Sequence, residues 1–208
     1  MTSIRRVALA AAVLTYALIV LGALVRSTNS GLSCPDWPTC YGYWLLTPAQ
    51  FEALPATGYT YGQVMLEWVH RLVAGVFLGP LVLVLVGLIL WRRGERPGLL
   101  AAAGVLVALL LVQKLLGGVT VLDRNSPWSV ALHLGNAMLV LATILWILVR
   151  ASEVPRGAVP PVLATLAAGA WLLVMGAIVS AAIVAKSGAA LACSTWPLCD
   201  GALIPDLA

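Results

Sequence analysis

Five long apolar runs constrain the fold of this chain more than any other feature of its sequence. They cover about residues 7–25, 69–91, 98–121, 128–149 and 160–184, and each matches the roughly 20 residues that a helix needs to cross a hydrocarbon core. None alternates with the period of two that a membrane β-strand requires. Because 62% of the residues are hydrophobic and only 10% are charged, an ordinary soluble domain is excluded. The sequence predicts an all-α integral membrane protein, a four-helix transmembrane bundle followed by a fifth transmembrane helix.

Basic residues mark alternate ends of these runs. Short cytoplasmic connections of membrane proteins carry an excess of Lys and Arg, which places the N-terminus inside and the C-terminus outside. We read the first run as an uncleaved helix rather than a secretory signal. The net charge of +4 is then a topology signal, and no nucleic-acid-binding stripe is expected. The predicted cytoplasmic arginines are Arg5, Arg6, Arg92, Arg93, Arg96, Arg150 and Arg156, and the predicted outer acids are Asp36, Glu52, Asp123, Asp200 and Asp206.

A Cys-x-x-Trp-Pro-x-Cys motif occurs twice, at 34–40 and 193–199, each time after an apolar run. We interpret the duplication as an internal repeat. Residues 1–150 would form a first four-helix repeat, and 151–208 would form the start of a second, with one transmembrane helix and an outer Cys loop. Both loops are predicted to face outward.

Thiols on the outer side of a membrane meet an oxidising compartment, where disulfides persist. Cys34 and Cys40 are therefore candidates for one disulfide, and Cys193 and Cys199 for another. Two roles stay open for these pairs, a structural staple of the loop and a redox-active pair that exchanges with a partner thiol. A zinc site is disfavoured because each motif offers two thiolates and no histidine.

His70 and His133 are the only histidines in the chain, and both lie inside predicted spans, near the outer face. An ionisable side chain in a span is a functional candidate, and two imidazoles on facing helices can hold a haem iron from both sides. We interpret both residues as axial ligands of a haem. The alternative for each is a hydrogen-bonded core histidine.

Charged residues near His70 suggest further roles at such a site. Glu67 lies three positions before His70 on the same helical face, where it could orient or protonate a reacting group. Arg71 could pair with a haem propionate, or could form an i, i+4 ion pair with Glu67. Arg26, at the outer end of the first span, is a second propionate candidate, with an interfacial anchor as the alternative.

Five segments of the sequence together resemble the heme A synthase family. They are 22–26, 30–40, 67–71, 113–121 and 133–134. The resemblance implies a membrane oxidoreductase that oxidises a methyl group of heme O to the formyl group of heme A. It also implies that His70 and His133 ligate the substrate haem, that Glu67 is needed for the oxidation, and that Cys34 and Cys40 are a disulfide-capable pair.

The resemblance further implies a multi-pass protein of the bacterial inner membrane whose partners are the lipid bilayer, heme O and the enzyme that makes heme O. Bacterial members of the family have eight spans in two halves, each with a histidine pair. Since only His70 and His133 occur here, the family's heme b site has no ligands in this sequence. We therefore expect a second copy or a separate chain to complete the bundle. The electron acceptor is not identified.

Two other functions compete with this prediction. One is a non-catalytic haem-binding membrane protein or an inactive fragment, which keeps the first haem site without the electron-transfer half. The other is a quinone-linked thiol oxidoreductase built on the outward cysteine pairs, which needs no haem. A haem-bound protein without heme A product would favour the former, and a colourless, active thiol oxidase would favour the latter.

Overall fold

The computed structural model describes residues 3–95, 97–152, 157, 159–189, 192–195 and 198–202. Arg96, Arg156, Trp196, Pro197 and Asp206 lie outside the described residues. Five helical segments are long and apolar enough to cross a membrane: Ser3–Ser27, Tyr61–Trp91, Pro97–Leu122, Pro127–Ala151 and Pro161–Ser187. The predicted all-α membrane fold is confirmed, and within the described residues only two isolated β-bridges occur. The orientation in the membrane and the division at residue 150 stay predictions.

The α-helices are α1 (Ser3–Ser27), α2 (Pro48–Glu52), α3 (Tyr61–Leu72), α4 (Gly79–Trp91), α5 (Leu100–Leu122), α6 (Pro127–Ala151) and α7 (Pro161–Ser187). A π-helical turn, Val73–Leu78, joins α3 to α4, and a 3₁₀ turn, Pro97–Leu99, precedes α5. The short α2 lies in the loop between α1 and α3. The remaining helices correspond to the five predicted spans.

The second span begins at Tyr61, well before the predicted start near residue 69. Thr60 and Gln63 form a capping box there, with the Gln63 backbone N–H donating to Thr60 Oγ1 (3.3 Å) and the Thr60 N–H donating to Gln63 Oε1 (2.9 Å). Such a cap satisfies orphan donors of a first helical turn. The hydropathy signal starts later because this first part of the helix is more polar.

The second span is irregular just before Gly79 and Pro80, where a wide turn joins α3 to α4. The Gly79 N–H donates to the carbonyl of Ala74, the spacing of a π-helical bond. Pro80 has no N–H and its ring crowds the preceding turn of a regular helix. The widened turn accommodates that proline without breaking the span.

Four helical segments form the bundle. Helix α1 packs against α3, α4 and α6, while α5 packs against α4 and α6. Helices α1 and α5 end, and α3 and α6 begin, at the same end of the bundle. The Cys34–Cys40 loop covers this end, and we call it the disulfide end. The main aliphatic core fills the opposite part of the bundle, and its buried members include Ala8, Ala11, Val82, Leu85, Ile89, Leu106, Ile144 and Ile147.

Helix α7 packs on the outside of this bundle, against α6. The contact with α6 runs along the half of α7 nearer the disulfide end. There, a Cβ added to Gly135 would lie 3.3 Å from Val179 Cγ2. Ala182 is the one buried residue among those of α7. Most of α7 is exposed and apolar, which suits a helix that faces lipid or other spans.

Candidate functional site

His70 lies in the last turn of α3, with its imidazole directed at α1. A Cβ added to Gly22 would lie 3.1 Å from His70 Cε1, which is too close for an alanine without a shift. The glycine therefore makes room for the ring. The Nδ1 atom of His70 is buried and has no hydrogen-bond partner within the described part of the chain. A buried polar atom without a partner is uncommon and costly.

His133 lies in the second turn of α6 and has a similar arrangement against α5. A Cβ added to Gly117 would lie 3.4 Å from His133 Cε1. Gly22 and Gly117 stand at matching levels, each a little over one turn before the ends of α1 and α5. Each imidazole thus has a glycine of a neighbouring helix behind its Cε1 edge.

The two imidazoles occupy one level of the bundle. Each of the two histidine residues is only partly buried. The main aliphatic core lies beyond this level, toward the opposite end. Two imidazoles at one level of the bundle are the donor set that a bis-histidine haem requires. The residues therefore fit a haem.

A polar network holds His133. Gln113 Nε2 lies 3.3 Å from His133 Nδ1 and 3.4 Å from its Nε2, and donates to the His133 carbonyl at 3.2 Å. Asn136 Nδ2 donates to Gln113 Oε1 (2.7 Å) and to the Leu109 carbonyl (2.9 Å). Gln113 is visible in the sequence as a polar break in an apolar run, whereas Asn136 gives only a weak signal, a polar residue three positions after His133.

Glu67 is buried and joins α3 to the first Cys loop. Its Oε2 accepts hydrogen bonds from the Cys34 backbone N–H (2.9 Å) and the Ser33 hydroxyl (3.0 Å). Its Oε1 pairs with Arg71 Nη2 at 2.5 Å. The structure therefore places Glu67 one helical turn before His70, with both oxygens occupied by the loop and by Arg71.

Arg71 is also directed at this loop. Its Nη1 donates to the carbonyls of Asp36 (2.5 Å) and Thr39 (2.8 Å), and its Nη2 donates to the Cys34 carbonyl at 3.1 Å and to Glu67. The i, i+4 ion pair considered from the sequence is present. Arg71 is thus the main attachment of the first Cys loop to the helix that carries His70.

Arg26 has a different environment. It lies in the last turn of α1, is exposed, and within the described residues its guanidinium has no hydrogen-bond or ion-pair partner. A guanidinium at the disulfide end and one turn from Gly22 remains available to an anionic group.

Asp36 organises the first Cys loop from within. Its carboxylate accepts from the backbone N–H groups of Tyr41 (2.5 Å) and Gly42 (2.9 Å) and from the Thr39 hydroxyl. Burial alone would raise the pKa of the Asp36 carboxyl, but these hydrogen bonds outweigh burial and hold that pKa below its usual range. The loop therefore depends on an ionised Asp36.

Both predicted disulfides are present. Cys34–Cys40 and Cys193–Cys199 each have Cα atoms 4.7 Å apart, and each second cysteine forms a β-bridge with the residue three positions later. The environments differ, because Cys34 and Cys40 are both 0% exposed, whereas Cys193 is exposed and Cys199 partly so. Within the described residues, no group of three or more His, Cys, Asp or Glu side chains is placed to hold a metal ion.

Trp37 of the first Cys loop packs against α5 near the disulfide end of the bundle. A Cβ added to Gly118 would lie 3.6 Å from two atoms of its indole ring. Gly118 follows Gly117, which backs His133. The loop thus places an aromatic ring beside the histidine level, and no pattern in the sequence alone indicated that contact.

Comparisons with known proteins show which family the chain belongs to. Residues 5–208 match the model of a family described as COX15-CtaA, cytochrome oxidase assembly protein. The chain belongs to this family. Together with the five spans, the family makes it a multi-pass bacterial membrane protein. No solved structure matches the chain at a significant level.

Several curated relatives are similar to parts of the chain. A heme A synthase of Shewanella oneidensis is 34% identical over 145 residues, which is 66% of this chain and 42% of that protein. A heme A synthase of Exiguobacterium sibiricum is 28% identical over 79% of this chain and 54% of its own length. A protoheme IX farnesyltransferase of Halobacterium salinarum is 27% identical over 73% of this chain and 30% of its own length. The chain thus spans about half, or less, of the relatives it matches.

Proposed function

We propose that this chain acts in heme A biosynthesis, by binding heme O between His70 and His133 and oxidising one ring methyl group to the formyl group of heme A. The observation that carries the proposal is the pair of imidazoles that pack on Gly22 and Gly117 at one level of a bundle whose aliphatic core stops short of them. Membership of the COX15-CtaA family and relatives named heme A synthase support it.

The substrate supplies the iron, and the protein supplies binding, orientation and proton handling. His70 from α3 and His133 from α6 would hold the iron from two sides. Gly22 and Gly117 leave space behind the rings, so that neither imidazole is pushed out of its helix face. The apolar walls of the bundle suit the hydrophobic porphyrin and its long hydrocarbon substituent.

Glu67 is the proposed proton acceptor, because methyl oxidation releases protons and this buried carboxylate lies one turn before His70. The Ser33 hydroxyl, which donates to Glu67 Oε2, is the group through which a proton would reach it. The same carboxylate keeps the first Cys loop in place over the site.

Arg26 is the proposed partner of a haem propionate. The predicted propionate role of Arg71 would require it to leave four acceptors, three of them loop carbonyls. The exposed guanidinium of Arg26 has no such commitments among the described residues. We therefore assign Arg71 to the loop and Arg26 to the propionate.

Conversion of a methyl to a formyl group with water as the source of the formyl oxygen releases four electrons and four protons, so electrons must leave the site. We propose that they pass to an acceptor on a neighbouring bundle, supplied by a second copy, by another chain or by further residues of a longer protein. An enzyme that makes heme O is the proposed supplier of substrate. The match to a protein named protoheme IX farnesyltransferase supports this association.

The test is co-expression with a heme O source, followed by haem extraction and chromatography. The parent is compared with His70→Ala, His133→Ala and a matched control, Thr143→Val, which changes a polar residue of α6 whose hydroxyl bonds only its own helix. We expect heme A in the parent and the control, no heme A in either histidine variant, and loss of haem in at least one of them. If both histidine variants keep the parent's haem content, the ligand assignment is wrong.

A further inference from the structure

Lys114 is an isolated charge in the middle of a membrane span. It lies in α5, about 12 Å from the helix end at Leu122 and about 21 Å from the start at Leu100. The residue is exposed, and within the described residues its ammonium has no hydrogen-bond or ion-pair partner. An ionisable side chain at this depth is costly and marks a functional position by default.

The spans of this chain offer Lys114 no carboxylate. Glu67 is the only acidic residue within them, and both of its oxygens are occupied by Arg71 and the first Cys loop. The lysine is also poorly placed to reach water. The Cα–Cβ bonds of a helix tilt toward its N-terminus, whereas the nearer end of α5 is the C-terminal one. A polar partner from outside the chain is therefore needed.

Lys114 belongs to a row of α5 that leads to the histidine level. Residues four apart lie along one side of a helix, so Leu110, Lys114 and Gly118 form this row. Leu110 packs against the main aliphatic core, and Gly118 is buried beside the Trp37 indole. Lys114 is thus an open position between two covered ones.

Lys114 and Arg26 lie on opposite sides of the histidine level. Gly22 and Gly117, which back the two imidazoles, mark that level. Arg26 is four residues after Gly22, about 6 Å nearer the disulfide end. Lys114 is three residues before Gly117, about 4.5 Å farther from that end. The two cations therefore bracket the level at which the iron would be held.

Heme O carries different polar groups on its two opposite edges. Both propionates leave one edge. A hydroxyethyl group with its farnesyl chain leaves the other edge, at a position where protoheme has a vinyl group. With a propionate at Arg26, as proposed above, the hydroxyl-bearing edge lies on the Lys114 side of the iron. A hydrogen bond from an ammonium to that hydroxyl is stronger than one between neutral groups.

We infer that Lys114 is a specificity-determining residue, which donates a hydrogen bond to the hydroxyl group of heme O and so favours heme O over protoheme. This inference rests on the haem site proposed above. A site that hydrogen-bonds a substrate hydroxyl discriminates against an analogue without it, because the polar group of the site is then left unpaired.

The test titrates the purified full chain with three haems. They are heme O, protoheme, and dehydrated heme O, which keeps the farnesyl chain and lacks the hydroxyl. We expect Lys114→Met, with an uncharged side chain of similar length, to weaken heme O binding about tenfold or more, as for a lost hydrogen bond to a charged group. Binding of the other two haems should not weaken. The low-spin signal of bound heme O should persist, because Lys114 does not ligate the iron.

Two further variants complete the test. Lys186→Met removes the other lysine of the chain, in the last turn of α7. It is the matched control and should change none of the three affinities. Lys114→Gln keeps an N–H donor without the charge, and should weaken heme O binding less than Lys114→Met does. Thermal unfolding midpoints close to that of the parent identify the variants that are folded.

The outcomes separate this inference from the proposed function. Equal weakening of all three haems in Lys114→Met overturns the inference, because the lysine would then pair with a group that they share, such as a propionate. Unchanged heme O affinity in that variant also overturns it and leaves the haem site standing. The absence of haem binding in the parent overturns the proposed haem site and this inference with it.

Discussion

The backbone N–H of Cys34 donates to the Glu67 carboxylate across 2.9 Å, which ties the first disulfide loop to the helix that carries His70. Arg71 strengthens the same connection through the Cys34 carbonyl. The loop and the proposed haem ligand therefore share one anchor. A change at Glu67 should affect both the stability of the loop and the position of His70.

Glu67→Ala should be strongly destabilising. The substitution leaves the mostly buried Arg71 without its counter-charge. Removal of one partner of a buried ion pair typically lowers the free energy of unfolding by about 3–5 kcal/mol. We expect Glu67→Ala to lower the thermal unfolding midpoint in detergent clearly. In the double variant Glu67→Ala/Arg71→Ala, the drop in the midpoint should be smaller than the sum of the drops in the two single variants. Glu52→Ala, an exposed carboxylate on α2, is the control. An unfolding midpoint within experimental error of the parent would refute the anchoring role of Glu67.

The two disulfides should differ in their resistance to reductant. Both close loops of the same length, and each is expected to contribute roughly 2 kcal/mol by restricting the unfolded chain. Cys34 and Cys40 are fully buried, whereas Cys193 is exposed, and thiol–disulfide exchange requires access.

Graded reduction of the folded protein, followed by alkylation and peptide mass spectrometry, measures this difference. We expect Cys193 and Cys199 to be labelled first, with Cys34 and Cys40 labelled only as the protein unfolds. Labelling of the first pair at the same rate as the second would argue for an accessible, exchanging disulfide over the proposed site.

The glycines behind the imidazoles should tolerate alanine poorly. In Gly22→Ala the new Cβ would lie 3.1 Å from His70 Cε1, and in Gly117→Ala it would lie 3.4 Å from His133 Cε1. We expect weaker heme O binding in both, with the larger effect at Gly22. Gly104→Ala on α5, with nothing within 4 Å of the added Cβ, should bind heme O as the parent does and gain up to about 1 kcal/mol in helix stability. Equal binding in all three variants would mean that the glycines do not shape the site.

Asp36 predicts a pH dependence of loop stability. The pKa of Asp36 is lower in the folded than in the unfolded protein. The ionised carboxylate therefore stabilises the loop fully at pH values above the unfolded pKa of about 3.9. This stabilisation is lost as the pH falls through the folded-state pKa. Asp36→Asn should therefore lower the unfolding midpoint at neutral pH, by the equivalent of about 1.5–3 kcal/mol for hydrogen bonds to a charged group. The difference from the parent should shrink below about pH 4. A difference that stays constant or grows with acidification contradicts this assignment.

Much of the membrane fold could be predicted from the sequence, because each span is an uninterrupted apolar run with few turn signals inside it. The start of the second span could not, since Tyr61 and Gln63 belong to a polar, capped first turn that carries little hydropathy. A local bend near Pro80 could be expected from the covalent structure of proline, whereas the π-helical form of the turn before it could not. The packing of α7 at Gly135 did not, because it depends on the shape of two helix surfaces.

The histidines of the candidate site were also visible in the sequence, because ionisable residues stand out in apolar spans. Their supports were not. The pairing of Gln113 with Asn136 joins two helices, and the contact between Trp37 and Gly118 joins a loop to α5, so both depend on tertiary packing. The four acceptors of Arg71 are mainly backbone carbonyls, which no residue pattern reveals.

The measurement that tests the central claim most directly is a heme O titration of the purified chain, followed by low-temperature electron paramagnetic resonance. The comparison is with the double variant His70→Ala/His133→Ala. The account predicts one heme O per parent chain, with the low-spin ferric signal of two imidazole ligands, and no stoichiometric binding in the double variant. The same stoichiometry and the same signal in the double variant would contradict it.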